Sequence, residues 1–402
     1  MQATHETTGR AARRNVAVLT LAQMLGASGG PIIIALGGMI GQRLAPSPVL
    51  FTLPVFAYTF AMALGTLPAA FLMRRLGRPR AYLIGASIGV LGGGIASIAL
   101  YRADFWLFCF GCFGAGLYAS YVQSYRFAGT DGVPKERQPR AISWIMIGGL
   151  FAAVIGPQLV ILTRNLAPEV PFAGAFVSQT GLAVLAILVL SQLRAVDHDV
   201  TPVQARDRGR TVGAFLRSPR YLLAVATGVV SYALMNLMMT AAPMAMVGCG
   251  ISIDDATLGI QWHALSMFAP SFATGHLIQR FKAERVAAFG LLLIAAAAIV
   301  GLLGLQVAHF WGSLILLGIG WNFGFIGATS MLAGTHQPGE RSRAQGLNDF
   351  LVFGSVALAS LSSGPILSTS GWSGLNSLAF PVIALILVPL LLTAGSDMKT
   401  NT

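Results

Sequence analysis

Charge is what this chain of 402 residues has least of. Lys, Arg, Asp and Glu together make up 10% of it, against about 25% in a soluble domain. Fourteen acids and 26 bases cannot cover the surface of a water-soluble fold of this length, which excludes a string of ordinary soluble domains. Cysteine is as scarce: Cys109, Cys112 and Cys249 all fall in apolar segments. The Cys109-x-x-Cys112 spacing suits a metal or a redox pair, but no second pair accompanies it, and small core residues are expected there. A P-loop is missing, so ATP-driven pumping by this chain is not expected. HExxH, GxSxG and paired carboxylates within apolar runs are missing too, so neither enzymatic chemistry nor a cofactor or metal is expected.

What is abundant is apolar. Hydrophobic residues make up 55% of the chain, joined by 47 glycines, and the mean hydropathy is +0.72. Lipid-facing helices need no charged cover, because the hydrocarbon is as apolar as the side chains. Nearly uncharged runs lie at 15–38, 49–73, 81–100, 103–126, 141–163 and 172–193. They resume at 220–247, 256–279, 286–307, 309–333, 344–368 and 372–395. Each is long enough to span a bilayer, which takes about 20 residues. The pattern predicts an all-α membrane protein of twelve transmembrane helices: a six-helix half at 1–193, a linker at 194–219 and a second six-helix half at 220–402. The linker is the one long polar interior segment, with Asp197, His198, Asp199, Asp207 and four arginines between 194 and 210. Arg10, Arg13 and Arg14 ahead of the first run resemble the start of a signal peptide. That run is too long and lacks a small-residue cleavage site, so it is expected as the first span.

The net charge of +12 and pI near 10.4 do not point to nucleic acid, because the bases are not gathered on one amphipathic element. They cluster between runs, and the clusters alternate. Only Arg43, Arg102 and Arg164 fall on one side of the twelve-span arrangement, leaving 23 of the 26 bases on the other. By the positive-inside rule both termini are expected in the cytoplasm, with the protein in a bacterial-type inner membrane.

The two halves repeat at an offset of 204 to 205 residues. Phe105-Trp106 matches Phe310-Trp311, Gly114-x-Gly116 matches Gly318-x-Gly320, and Ala128-Gly129-Thr130 matches Ala333-Gly334-Thr335. Pro134-x-Glu136-Arg137-x-x-Arg140-Ala141 nearly matches Pro338-x-Glu340-Arg341-x-Arg343-Ala344. Gly156-Pro157 corresponds to Gly364-Pro365 at offset 208. An even number of spans per half gives both halves the same orientation, the parallel repeat about an axis along the membrane normal from which alternating access follows.

These features resemble the major facilitator superfamily over essentially the whole chain. The family's loop between spans 2 and 3 runs G-x-x-x-D-R-x-G-R-[KR]. Here Arg75-x-Gly77-Arg78 keeps its R-x-G-R, while Ala70 replaces the first glycine and Arg74 stands where the family has aspartate. The second-half copy keeps Gly275 and Arg280 but has Gln279 for the aspartate. Gly148, Gly149 and Gly156-Pro157 look like part of the span-5 motif of the family's antiporters, without its closing glycines. The family's aspartate sits against the start of span 11, where this sequence carries Asp349. Either the acid has moved across that contact, so that Arg74 or Arg75 pairs with Asp349 in one conformation, or Asp349 faces a cavity and never meets the loop. Rescue of transport by exchanging the charges of Arg74 and Asp349 separates the two.

Few polar groups lie deep in the spans. Span 1 offers Gln23, and span 4 carries Tyr118, Tyr121 and Tyr125 on one face, with Gln123 and Arg126 nearby. Span 7 carries Tyr232, Asn236 and Thr240, span 8 carries Trp262 and His263, and span 10 carries Trp321, Asn322 and Thr329. In the resembled family spans 1, 4, 7 and 10 line the central cavity. Gln23, Tyr118, Tyr121, Gln123, Tyr125, Tyr232, Asn236, Trp262, Trp321 and Asn322 are therefore the expected substrate-binding set, suited to a flat or amphipathic solute. The alternative for each is glue between helices. Arg126 either binds an anionic group or pairs with Asp131. Asp349 is the first candidate for proton coupling and His263 the second, with Arg74, Arg75, Arg78 and Arg126 as gating residues. The run Gly85-x-x-x-Gly89-x-x-x-Gly93 is expected to be a close-packing ridge.

The resemblance implies a secondary active transporter, working as a monomer, that moves a small organic solute by alternating access coupled to protons. Export of an amphipathic compound stands slightly ahead of uptake of a nutrient such as a vitamin or organic acid. A transport-dead membrane sensor on the same fold is the remaining alternative.

Overall fold

The computed structural model describes residues 2–131, 133–134, 137–194, 211–337 and 340–396, apart from some terminal and loop side chains. Most of the expected linker, including Asp197, His198, Asp199 and Asp207, lies outside the described residues. So do Lys135, Glu136 and Pro338 of the repeated loop motif.

Every extended element among the described residues is helical. The first unit comprises Met1–Pro46 with Leu53–Thr201, and the second comprises Ser47–Thr52 with Pro202–Thr402. The first holds α1 (Gln2–Ala27), α2 (Gly29–Leu44), α3 (Leu53–Leu76), α4 (Arg78–Tyr101), α5 (Phe105–Ala128), α6 (Gln138–Thr163) and α7 (Ala173–Leu190). The second holds α8 (Val212–Phe215), α9 (Pro219–Gly248), α10 (Ile253–Phe268), α11 (Ser271–Phe281), α12 (Ala283–Leu303), α13 (Val307–Ala333), α14 (Arg341–Ser377) and α15 (Ala379–Ser396).

Local chemistry explains the boundaries. Pro79, Pro139 and Pro219 open α4, α6 and α9, where the missing N–H costs nothing. Asp104 caps α5 by accepting from the Leu107 N–H at 3.0 Å, and Ser252 caps α10 by accepting from the Asp255 N–H at 3.0 Å.

The helices depart from twelve separate continuous rods at three places. The first runs over Ala12–Leu44 and is interrupted at Ser28, between α1 and α2. Pro31 there supplies no N–H to the Ala27 carbonyl, and Gly26, Gly29 and Gly30 offer the backbone little resistance to bending. The run expected at 256–279 is two helices, α10 and α11, parted where Pro270 interrupts the hydrogen-bond ladder. The last two runs are joined in one helical stretch, with the break between them at Gly371 (φ 66°, ψ −175°). By length and composition ten helices among the described residues can cross a membrane. The difference from twelve lies in these last two places. The pieces α10 and α11, with 16 and 11 residues, are each too short alone, and the 51 residues of Arg343–Thr393 hold two crossings.

Within each unit the helices pair in the same order. In the first, α4 packs on α5 and α7, α3 on α5, and α1 on α6; in the second, α12 packs on α13 and α15, α10 on α13, and α9 on α14. The repeated glycines sit where these helices meet. A Cβ at Gly114 would lie 3.0 Å from Gly92 Cα, and one at Gly318 would lie 2.7 Å from the His263 carbonyl oxygen. Gly148 and Gly156 are where α6 meets the backbone of the first span: a Cβ at Gly156 would be 2.5 Å from the Ser28 carbonyl oxygen.

The segment Ser47–Thr52 includes one turn of 3-10 helix and packs on α14. Thr52 Oγ1 donates to the Leu361 carbonyl at 3.1 Å and accepts from the Gly364 N–H at 3.3 Å. Pro365, four residues after Leu361, has no N–H to offer that carbonyl, and the threonine hydroxyl takes its place.

Candidate functional site

In the first unit the span-4 tyrosines turn inward. Tyr118, Tyr121 and Tyr125 are all buried on α5, against the glycine ridge of α4. A Cβ at Gly85 would stand 2.5 Å from the Tyr121 ring, and one at Gly89 would strike the Tyr118 ring. The ridge is thus a bed for aromatic rings at Gly85 and Gly89, and a helix contact at Gly93, which meets Thr180. Tyr82 stands edge-on to Tyr125 with centroids 4.7 Å apart, and Ser124 Oγ lies 3.1 Å from the Tyr82 hydroxyl. Cys109 and Cys112 are buried thiols in the same helix.

Tyr118 also borders a cavity of about 20 Å³ lined by Gly26, Gly29, Gly30, Tyr58 and Gln179. That is room for about one water and excludes a vitamin-sized molecule. Gln179 was not singled out from the sequence, although it is the one glutamine well inside the apolar run at 172–193, Gln192 lying at its end. Gln23 is half-buried on α1, facing Gly149 of α6. Gln123 is exposed, with Nε2 3.9 Å from Met62 Sδ.

At the ends of these helices the basic residues find aromatic and acidic neighbours. Arg78, at the start of α4, forms an ion pair with Asp131, in the turn after α5. Asp131, weighed from the sequence as a partner for Arg126, is thus reached by Arg78 from α4. The Arg126 guanidinium lies 4.8 Å over the Phe127 ring, and Arg75 lies 6.0 Å from the centroid of Phe71. Arg74 is exposed at the end of α3. Asp349, nine residues into α14, is exposed and accepts from Asn348 Nδ2 at 3.0 Å.

In the second unit the predicted residues divide sharply. Asn322 spends its amide inside the bundle: Nδ2 donates to the Met267 carbonyl and to Ser271 Oγ, each at 2.7 Å, and Oδ1 accepts from Thr274 Oγ1 at 2.6 Å. It spans the break between α10 and α11 and replaces the ladder that Pro270 interrupts. Asn236 donates to the Val356 carbonyl at 3.1 Å and ties α9 to α14. Both asparagines thus make the hydrogen bonds between helices that the alternative, glue, calls for. His263 is wholly buried, with Nδ1 2.7 Å from the Leu314 carbonyl of α13, while Trp262 on the neighbouring face is 42% exposed.

Tyr232 and Trp321 come together instead. Their ring centroids are 5.1 Å apart, and Tyr232 stands edge-on to Phe325 at 5.1 Å and to Phe353 at 6.1 Å. Trp321 stacks on Phe325 with planes 11° apart and centroids 5.5 Å apart. Four rings from α9, α13 and α14 thus form one cluster, and the buried Trp321 Nε1 has no hydrogen-bond partner among the described residues. Phe325 and Phe353 were missed in the sequence, because two of 23 phenylalanines carry no distinguishing pattern.

Charge is excluded from the helix interiors. Every Lys and Arg in the candidate spans lies within three residues of a span end. Asp349 is the one carboxylate among the described residues of these spans that lies deeper.

The chain is thus a repeat of six-span halves whose charges, Asp349 apart, are kept to the span ends among the described residues. The model of the Major Facilitator Superfamily matches residues 16–269, and the chain belongs to that family of multi-pass membrane transporters. It is 57% identical over 386 residues to the riboflavin transporter RfnT of Brucella anthropi, covering 96% of this chain and 97% of that protein. Among solved structures it is similar to the D-xylose–proton symporter, with a TM-score of 0.73 at 11% identity, covering 93% of this chain and 96% of that one. It is also similar to the nucleoside transporter NupG, with a TM-score of 0.70 at 12% identity and coverage of 94% and 98%. At such identities the two structures speak for the fold alone.

Proposed function

We propose that this transporter takes up riboflavin or a closely similar flat, neutral vitamin, and that uptake rather than export is its physiological direction. The observation that carries the reading is the 57% identity, over nearly the whole length of both chains, to a riboflavin transporter. The four-ring cluster of Tyr232, Trp321, Phe325 and Phe353 supports it, since a tricyclic ring system finds its best partners in offset-stacked and edge-on aromatic rings. Asp349 supports proton coupling, as an interior carboxylate is costly to keep in a membrane protein without a task. The clustering of bases at alternate loops supports an inner-membrane protein with both termini in the cytoplasm.

Expression in a riboflavin-auxotrophic bacterium lacking its own uptake system tests the reading. Growth at low external riboflavin and accumulation of labelled riboflavin are expected. Failure of both, with the protein present in the membrane, refutes it. Retained riboflavin binding without flux points to the sensor alternative, and net loss from preloaded cells points to export.

A further inference from the structure

The interior of this protein is conspicuous for the charge it lacks, and that bears on which form of the vitamin it can accept. The aromatic cluster is neutral throughout: its polar atoms are the Tyr232 hydroxyl and the Trp321 indole N–H. No Lys or Arg of α9, α10, α13 or α14 lies more than three residues from the start of its helix. In the first unit the same holds of the candidate spans: Arg13 and Arg14 lie at the start of the first, which opens at Ala12, Arg43, Arg74, Arg75 and Arg126 lie at span ends, and Arg78, Arg80 and Arg140 at span starts. The histidines do not fill the gap. His263 turns Nδ1 to the Leu314 carbonyl, and His276 is exposed on α11, which contributes no ring to the cluster. Among the described residues of the candidate spans, the one carboxylate more than three residues from a span end is Asp349, which shares α14 with Phe353.

We infer that the binding site is selective for the unphosphorylated, neutral form of its solute, recognising the planar ring and rejecting the phosphate ester. This rests on the functional reading above. A phosphate monoester carries between about −1.5 and −2 charges at neutral pH. Taken out of water it needs guanidinium or ammonium partners, or a helix N-terminus, to replace its hydration. Without them its desolvation is uncompensated, and Asp349 adds repulsion of like sign. Riboflavin itself carries no such charge. Its ring carbonyls can accept from neutral donors such as the Trp321 N–H, and its faces are matched by the phenyl and indole rings. The ring, not the ribityl chain, is then the part most tightly read. A phosphate ester of the vitamin outside the cell must then be hydrolysed to the free vitamin and phosphate before it is a substrate.

The test is competition in proteoliposomes containing the purified full-length chain, which removes cellular phosphatases. Uptake of labelled riboflavin is measured against unlabelled riboflavin, riboflavin 5′-phosphate, and lumiflavin, which keeps the ring without the ribityl chain. Lumiflavin is expected to compete within about 10-fold of riboflavin, and the phosphate at least about 100-fold less well. Equal competition by the phosphate overturns the charge argument, and failure of lumiflavin overturns ring recognition. In either case uptake of riboflavin itself would leave the proposed function standing. If riboflavin is not taken up at all, that function fails and the selectivity falls with it. Phe353→Arg supplies the missing cation and is expected to narrow the gap between riboflavin and its phosphate by about 10-fold or more. An unchanged gap, in a variant that still transports riboflavin, counts against the inference.

Discussion

Replacing Lys282 by glycine should make this protein more stable. Lys282 joins α11 to α12 with φ 71° and ψ 154°, a conformation that suits glycine and strains any residue with a Cβ. Its counterpart one repeat earlier, 205 residues before, is Gly77, with φ 79° and ψ 156°. The same backbone turn has been kept in both halves, with the residue it requires in only one. The strain is worth about 1–3 kcal/mol, and the greater freedom of glycine in the unfolded chain takes back about 0.5–1 kcal/mol. A net gain of up to about 2.5 kcal/mol remains, with a middle value of about 1 kcal/mol, at about 2–4 °C in Tm per kcal/mol for a unit of this size. Gly77→Ala should lose a similar amount. A Cβ there would meet nothing nearer than Pro79 Cδ at 3.9 Å, so the loss would be conformational and not steric. Thermal unfolding in detergent can be followed by the reaction of buried Cys109 and Cys112 with a thiol dye, in a Cys249→Ser background because Cys249 is exposed. Lys282→Ala is the control, since it removes the ammonium and keeps the strain. If Lys282→Gly is no more stable than Lys282→Ala, the reasoning is refuted.

Four further outcomes are expected. Asn322→Ala should cost about 2–4 kcal/mol by releasing the break between α10 and α11, seen as a fall in Tm larger than that of Thr274→Val, which removes one of its three hydrogen bonds. Gly89→Ala should cost about 1–3 kcal/mol by pressing on the Tyr118 ring, and Tyr118→Ala in the same chain should recover part of that loss. Tyr232→Ala should raise the KM for riboflavin about 10-fold with little change in the amount of folded protein, while Tyr232→Phe stays within about 3-fold of wild type; equal KM values for all three would remove the cluster from the site. Asp349→Asn should abolish accumulation driven by a proton gradient and leave riboflavin counterflow intact; loss of both would make Asp349 structural or substrate-binding and not coupling.

The helices, their number and their pairing in two halves were legible because bilayer thickness and hydrophobicity act residue by residue along the chain. An apolar run long enough to cross is a local property, and so is an arginine cluster at its end. The Gly85, Gly89 and Gly93 spacing was legible for the same reason, because i, i+4 places residues on one helix face. Side-chain roles were not local. Asn322 and Tyr232 looked alike in sequence, polar or amphipathic residues on cavity-lining spans. Asn322 is consumed by a break in α10–α11 that lies 50 residues away in the chain, because an orphaned ladder needed a donor. Tyr232 has rings from α13 and α14 around it instead.

By itself, then, the sequence determined that this is a helical membrane protein of repeated halves, since the shortage of charge and the spacing of what remains admit no other solvent for it. The tertiary structure decided which polar groups were left over. Hydrogen-bond accounting between helices spends Asn236, Asn322 and His263 within the fold, while Arg78 takes Asp131. That leaves Tyr232, Trp321, Phe325 and Phe353 clustered ring against ring, the surface proposed to meet a flat neutral solute.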